Sequence, residues 1–254
     1  MSNIKIVLTD LDGTVVLPSQ YDVANAVKEK IVELEKNGVP VIPVTGRPYE
    51  MAIPVMLALG CDGLCVVDGG ASIRNIQTGE IIWSKWLEPL VIIEIVEVLS
   101  RYAVQFMEYG PIQNPIEITD VDTSAITQSA PFAFGPIPND KVKKVEAELA
   151  NIPGVVAHSN PNWAGNNELT GMQVTHKFAD KSHGVKQLLK IMEIPKDYVL
   201  AIGDSNNDLP LFKHCELKIA MGNATESLKA EADHVVGAVE DNGFVDAMNR
   251  FVLS

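Results

Sequence analysis

Residues 4–14 read IKIVLTDLDGT: an apolar run that ends in two acids separated by a single leucine. A run of this kind, without alternation, fits a strand covered on both faces, as in a parallel sheet. Residues two apart on a strand share a side. Asp10 and Asp12 are therefore expected to emerge together just past the strand's C-terminal end, with Gly13 permitting a sharp exit and Thr14 offering a hydroxyl. In open α/β sheets that edge is where ligands bind. Ionised carboxylates are costly beside an apolar core, and two held close cannot easily both stay charged without a cation between them. Such a pair can divide its labour, one acid acting as an anionic nucleophile and the other carrying a proton. The competing readings are an Asx-rich turn or a calcium loop. An EF-hand needs a bidentate acid near its twelfth position, and Gln20 to Asp22 supply none in register.

The same pattern recurs outward from this stretch. Val23, Val27, Ile31 and Leu34 predict a helix to Lys36, with Asp22 as its cap. VPVIPV (39–44) and GLCVV (63–67) are predicted strands, and Pro48 to Leu59 a helix that Pro54 is expected to bend. Near the other end, YVLAIG (198–203) and ELKIA (216–220) are predicted strands followed by helical stretches, and residues 241–254 close the chain as a helix. Alternating strands and helices give an α/β fold, a doubly wound, Rossmann-like parallel-sheet core. The middle differs: a hairpin turning at Thr78–Gly79, helices at Pro89–Arg101 and Lys141–Ala150, and antiparallel strands at 154–160 and 167–176. Residues 84–180 are thus expected to be an inserted α+β domain, and 1–83 with 181–254 the core.

Three further stretches carry chemistry. In VIPVTGRP (41–48), Thr45 and Gly46 are expected at a strand end directly before a helix, where a hydroxyl and free N–H groups bind anions. Arg47 there is either a surface charge or a group reaching toward a substrate anion. In FADKSHGVKQLLKIM (178–192), Lys181 precedes a helix, with Lys177 and Lys186 as competing lysines and His183 read as a surface side chain. In VLAIGDSNNDLPLF (199–212), Asp204, Asn207 and Asp208 again cap a strand. Oxygen ligands from two such loops suit a hard cation, and Mg²⁺ takes one or two carboxylates plus waters and phosphate. In combination, the four loops are expected to enclose a metal ion between the acids, with a lysine nearby for a substrate phosphate.

The 254 residues carry a net charge of −13 with 46% hydrophobic and 21% charged content, ordinary for a globular chain apart from its acidity. That balance argues against a nucleic-acid or anionic-membrane partner. PLVIIEIVEVLS (89–100), the longest apolar stretch, is broken by Glu94 and Glu97, and the N-terminus has no signal-peptide pattern. Three cysteines, with no further His or Cys near Cys61 and Cys65 to complete a metal site, read as buried thiols in a reducing cytoplasm, the expected location.

In this order, DLDGT, VTGR, Lys181 within DKSHG, and GDSNND resemble the four motifs of the haloacid dehalogenase superfamily of phosphotransferases. The insertion, preceded by VVDGGASI (66–73), is similar in position and length to that superfamily's type IIB cap, found in Cof-like sugar phosphatases and in sucrose- and trehalose-phosphate phosphatases. The resemblance implies a phosphatase in which Asp10 attacks phosphorus and becomes an aspartyl phosphate, while Asp12 protonates the leaving alcohol and then activates water. It implies that Thr45, Gly46, Lys181 and Asn207 hold the phosphoryl oxygens. For the metal it implies Mg²⁺ at Asp10, Asp12 (through its carbonyl), Asp204 and Asp208, with Asp208 and Asn207 also supporting the loop. One departure is Ser182-His183 after Lys181, where relatives often have glycine. The expected partner is a small phosphorylated metabolite, most plainly a sugar phosphate. A phosphomutase of phosphomannomutase type is the alternative, and a phosphate-switched receiver domain a distant one, since receivers are about half as long and lack the insertion. Substrate choice is expected in the insertion, where the loop 160–168 carries amides and Trp163.

Overall fold

The computed structural model describes residues 3–18, 20–102, 104, 106–109, 116–161 and 166–253. The chain divides into two compact units, Met1–Trp83 with Asp180–Ser254, and Ser84–Ala179. Trp163 lies outside the described residues.

In the first unit β1 (Ile6–Thr9) leads to α1 (Asn25–Lys36), β2 (Val41–Pro43), α2 (Tyr49–Leu59), β3 (Leu64–Val67), β4 (Ser72–Asn75) and β5 (Ile81–Ser84). In the second unit, the chain continues through α3 (Pro89–Ser100), β6 (Phe106–Tyr109), β7 (Ile116–Glu117), β8 (Phe132–Pro138), α4 (Val142–Leu149), β9 (Val155–Pro161) and β10 (Leu169–His176). It re-enters the first unit with α5 (Lys181–Ile191), β11 (Val199–Gly203), α6 (Leu209–Phe212), β12 (Leu217–Ala220), α7 (Glu226–Glu231), β13 (His234–Val235) and α8 (Gly243–Phe251).

The core sheet is parallel, in the order β13-β12-β11-β1-β2. The opening stretch forms an interior strand of it, flanked on both sides, and Ile6, Val7 and Leu8 are fully buried. Helices cover the sheet with the apolar faces that their spacing prescribes, such as Val27, Ile31 and Leu34 of α1. β1 pairs with β11 on one side and β2 on the other, with Thr9 opposite Ile202 and Pro43. The chain therefore runs outward in opposite directions from β1, and the C-terminal ends of β1 and β11 adjoin at a topological switch point. Pairing extends past β2 through the Val44–Val66 bridge to a second sheet, ordered β3-β4-β5.

The second unit is an antiparallel sheet ordered β7-β6-β8-β10-β9. Its own core joins Ile92, Ile95 and Leu99 of α3 and Val145 and Leu149 of α4 to Met172 and Val174 of β10. Among the described residues no helix is long and apolar enough to cross a membrane.

Two local expectations change, at Asp22 and at Asp180. Asp22 does not cap α1, which starts at Asn25 with Ala24 in the cap position and no side-chain bond there. Pro54 lies inside α2, as the sequence reading placed it, and Ala52, Val55, Met56 and Leu59 are the buried residues around it. Asp180, expected at the end of the insertion, belongs to the first unit, where its carboxylate accepts from the His183 N–H and caps α5.

Gly70 controls how α5 seats in this unit. Its φ is +104°, and a Cβ there would lie 2.2 Å from the Asp180 carbonyl oxygen, directly before Lys181. Gly70→Ala is expected to destabilise the protein by more than the ~1 kcal/mol typical of a misplaced backbone substitution, because the obstacle is backbone and cannot swing away. Urea unfolding measures this, and an unchanged midpoint would contradict the close packing.

Candidate active site

The site is assembled at the switch point. Asp10 follows β1, and its N–H donates to the Ile202 carbonyl at 3.1 Å, fixing it beside the end of β11. Lys181, the first residue of α5, is buried, and its Nζ donates to Asp10 Oδ1 and to Asp208 Oδ1, each at 2.7 Å. Asn207 Oδ1 is 3.5 Å from the same nitrogen. Asp208 is completely buried, and its Oδ2 accepts from the N–H groups of Asp204 and Ser205 at 3.0 Å. That carboxylate therefore shapes the loop carrying Asp204 while anchoring the lysine.

Oxygens of Asp10, Asp204 and Asp208 lie within 4.8 Å of one another. Burial, then the neighbouring Asp208 and Asp204, push the Asp10 carboxyl up to about 7 against the pull of Lys181. Burial and the charge of Asp208 raise Asp204 to about 6. Burial disfavours charge on Lys181, but Asp10 and Asp208 outweigh it and hold the ammonium well above its ordinary range. Three acids thus face one lysine, and the excess negative charge is the physical demand for a cation. Asp204 Oδ1 meets that demand: it is buried and has no hydrogen-bond partner among the described residues. An all-oxygen donor set of this kind suits Mg²⁺.

Asp12 is placed differently from expectation. Its carboxylate is not part of the acid trio; Arg47 grips it in a fork, Nε to Oδ2 at 2.7 Å and Nη2 to Oδ1 at 2.6 Å. Arg47 Nη2 also donates to the Gln20 carbonyl, and the guanidinium lies over the Tyr21 ring. The two acids of the opening stretch therefore have separate cations, Lys181 for Asp10 and Arg47 for Asp12. Asp12, Arg47, Tyr21, Pro18 and Met51 line a cavity of about 240 Å³.

Thr45 is buried beside the end of β1, where the Val44 N–H donates to the Thr9 carbonyl at 2.8 Å. Its hydroxyl accepts from the Arg47 N–H at 3.1 Å. Gly46 is exposed, and the expectation that it directly precedes a helix is corrected: α2 starts at Tyr49. The Tyr49 N–H is already taken by Asp68 Oδ1 at 3.1 Å, so this helix start is filled by the protein's own carboxylate. Of the lysines weighed from the sequence, Lys181 is the one that pairs with the acids, while Lys177 lies over the Phe178 ring in the second unit. His183 bonds Asp180 at 2.7 Å.

Two residues absent from the sequence expectations hold the loops. Asp68, buried in a left-handed conformation (φ 57°), accepts from Ser72 Oγ and Tyr49 N–H while its own N–H donates to the Arg47 carbonyl. The other is Asn223, whose amide reaches Gly13 and Asp204. The DGG turn after a strand hinted at the first, while the second had no local signal.

A family model described as haloacid dehalogenase-like hydrolase matches residues 7–248. The chain belongs to this family. It is 27% identical over 251 residues to a putative phosphatase of Haemophilus influenzae, covering 94% of this chain and 95% of that protein. It is 25% identical over 248 residues to a phosphoglycolate phosphatase of Methanothermobacter thermautotrophicus, covering 98% and 99%. The solved structure of BT4131, a haloacid dehalogenase subclass IIB sugar phosphatase, superposes with a TM-score of 0.74 at 19% identity, covering 98% of this chain and all of that one, a likeness of fold. The α/β fold and the phosphatase class expected from the four motifs both stand.

Asp10 and Asp204 have an ordinary value of 3.8 and are raised in the fold to about 7 and about 6. Between about pH 4 and pH 7 the folded chain thus binds more protons than the unfolded one, so stability falls as pH rises through that window. The melting temperature of metal-free protein is expected to drop from pH 5 to pH 7, and Asp10→Asn to flatten the slope. The same slope in that variant would contradict the assignment.

Proposed function

We propose that this phosphatase is a Mg²⁺-dependent phosphomonoesterase that hydrolyses a small phosphorylated metabolite, foremost a sugar phosphate, through a phosphoryl group carried on Asp10. The observation that carries the reading is the cluster of buried Asp10 and Asp208 with half-buried Asp204 beside Lys181 at the sheet's switch point. In this reading Asp10 Oδ attacks phosphorus in line, and the bond from phosphorus to the leaving oxygen breaks as Asp12, which has first left the Arg47 fork and taken up a proton from solvent, gives that oxygen the proton. Asp12 then takes a proton from water, the water oxygen attacks phosphorus, and inorganic phosphate leaves with Asp10 restored. Lys181, Thr45, Gly46 and Asn207 would hold the phosphoryl oxygens, and Arg47 holds Asp12 before substrate binds. Asp10, Asp204 and the Asp12 carbonyl would hold Mg²⁺, with Asp208 bracing the loop. The ion supplies the positive charge that lets an anionic nucleophile approach an anionic phosphoryl group.

The phosphoglycolate phosphatase among the relatives supports a second substrate class, phosphorylated carboxylic acids. A mutase reading needs the phosphoenzyme to wait for a second hydroxyl in place of water. Phosphate release from hexose phosphates and 2-phosphoglycolate, alongside conversion of sugar 1-phosphate to 6-phosphate, separates the three. Chelation is expected to stop release reversibly. Asp10→Asn is expected to cut turnover about 10³-fold or more, because an amide forms no acyl phosphate, with Asp12→Asn nearly as severe. Activity that survives complete metal removal would overturn the proposal.

A further inference from the structure

Asn223 lies in the turn between β12 and α7, far along the chain from the opening stretch. Its Nδ2 donates to the Gly13 carbonyl at 2.8 Å and lies 3.4 Å from Asp204 Oδ2. Its Oδ1 accepts from the Val239 N–H at 3.0 Å. That donor fixes the amide's orientation, since only the oxygen can face a backbone N–H. The same turn holds Asp204 by its backbone, with the Thr225 N–H donating to the Asp204 carbonyl at 2.9 Å.

Gly13 and Asp204 are themselves packed face to face. Gly13 has φ +75°, and a Cβ there would stand 2.2 Å from Asp204 Oδ2. The amide therefore sits across the seam where the loop after β1 meets the loop after β11. It steadies the Oδ2 side of Asp204 and leaves Oδ1, buried and without a protein partner among the described residues, as the oxygen offered to a cation.

We infer that Asn223 is a positioning residue that locks the Gly13 and Asp204 loops in register and aims Asp204 Oδ1 at Mg²⁺. The inference rests on the metal reading under the proposed function. Groups that orient metal ligands typically change metal affinity about 10- to 100-fold when removed. Asn223→Ala loses every bond, and Asn223→Gln keeps the amide on a stem too long to span the same three partners.

Isothermal titration of Mg²⁺ alone into the full chain tests this, with circular dichroism and melting in chelator as the check on folding. The wild type is expected to bind Mg²⁺, and each folded variant to bind it at least about tenfold more weakly, with a metal-free melting curve close to wild type. A folded variant with wild-type affinity overturns the inference while leaving the proposed function standing. So does unfolding of both variants in chelator, which would make Asn223 an element of the fold. A wild-type chain that binds no Mg²⁺ overturns the proposed function and the inference together.

Discussion

The site depends on an imbalance of buried charge. Lys181 stands between Asp10 and Asp208 at 2.7 Å from each, in surroundings that exclude water. Taking charges out of water is expensive, and close pairing repays it only when the remaining lone pairs are satisfied. Asp208 meets that condition through two backbone N–H groups and the lysine. Asp10 and Asp204 do not, and both are pushed toward the protonated state. A chain that uses Asp10 as a nucleophile must reverse that push, and a divalent cation reverses it without giving the lysine a second task.

The fold brings this about by topology. Parallel strands β1 and β11 end side by side, so two acidic loops from opposite ends of the chain meet with no long excursion by either. Each loop is then fixed from behind: Asp208 closes the turn of Asp204 on itself, and Gly70 admits the start of α5 so that Lys181 can reach inward. Arg47 neutralises Asp12 and ties it to the loop after β2, while Asp68 holds the Arg47 peptide from the turn after β3. Successive loops along one sheet edge therefore support one another, as pre-organised phosphoryl transfer requires.

Much of this was legible in the sequence where the signal is local. An apolar run followed by acids marks both a parallel strand and its functional end, and β1 and β11 follow that pattern directly. Cross-chain partners carry no such mark. Arg47 and Asp12 are 35 residues apart, and Asn223 and Gly13 are 210 apart. Arg47 therefore read as a solvent or substrate charge, with nothing local to mark its pairing with Asp12. The pair Asp10 and Asp12 suggested one shared cation because strand parity puts them on one side, but parity ends with the strand at Thr9. Past that point the turn directs each carboxylate to its own partner. Asp22 failed as a cap for a related reason: helix starts are set by where the backbone leaves the extended region, here at Ala24, and a suitable side chain nearby does not move them.

The central claim is that the loops after β1 and β11 share one divalent ion. Anomalous diffraction from crystals of the protein grown with Mn²⁺ in place of Mg²⁺ tests it most directly. The account expects a single strong peak within bonding distance of both Asp10 and Asp204. A peak bound by only one of these two carboxylates, or found elsewhere on the molecule, would contradict it.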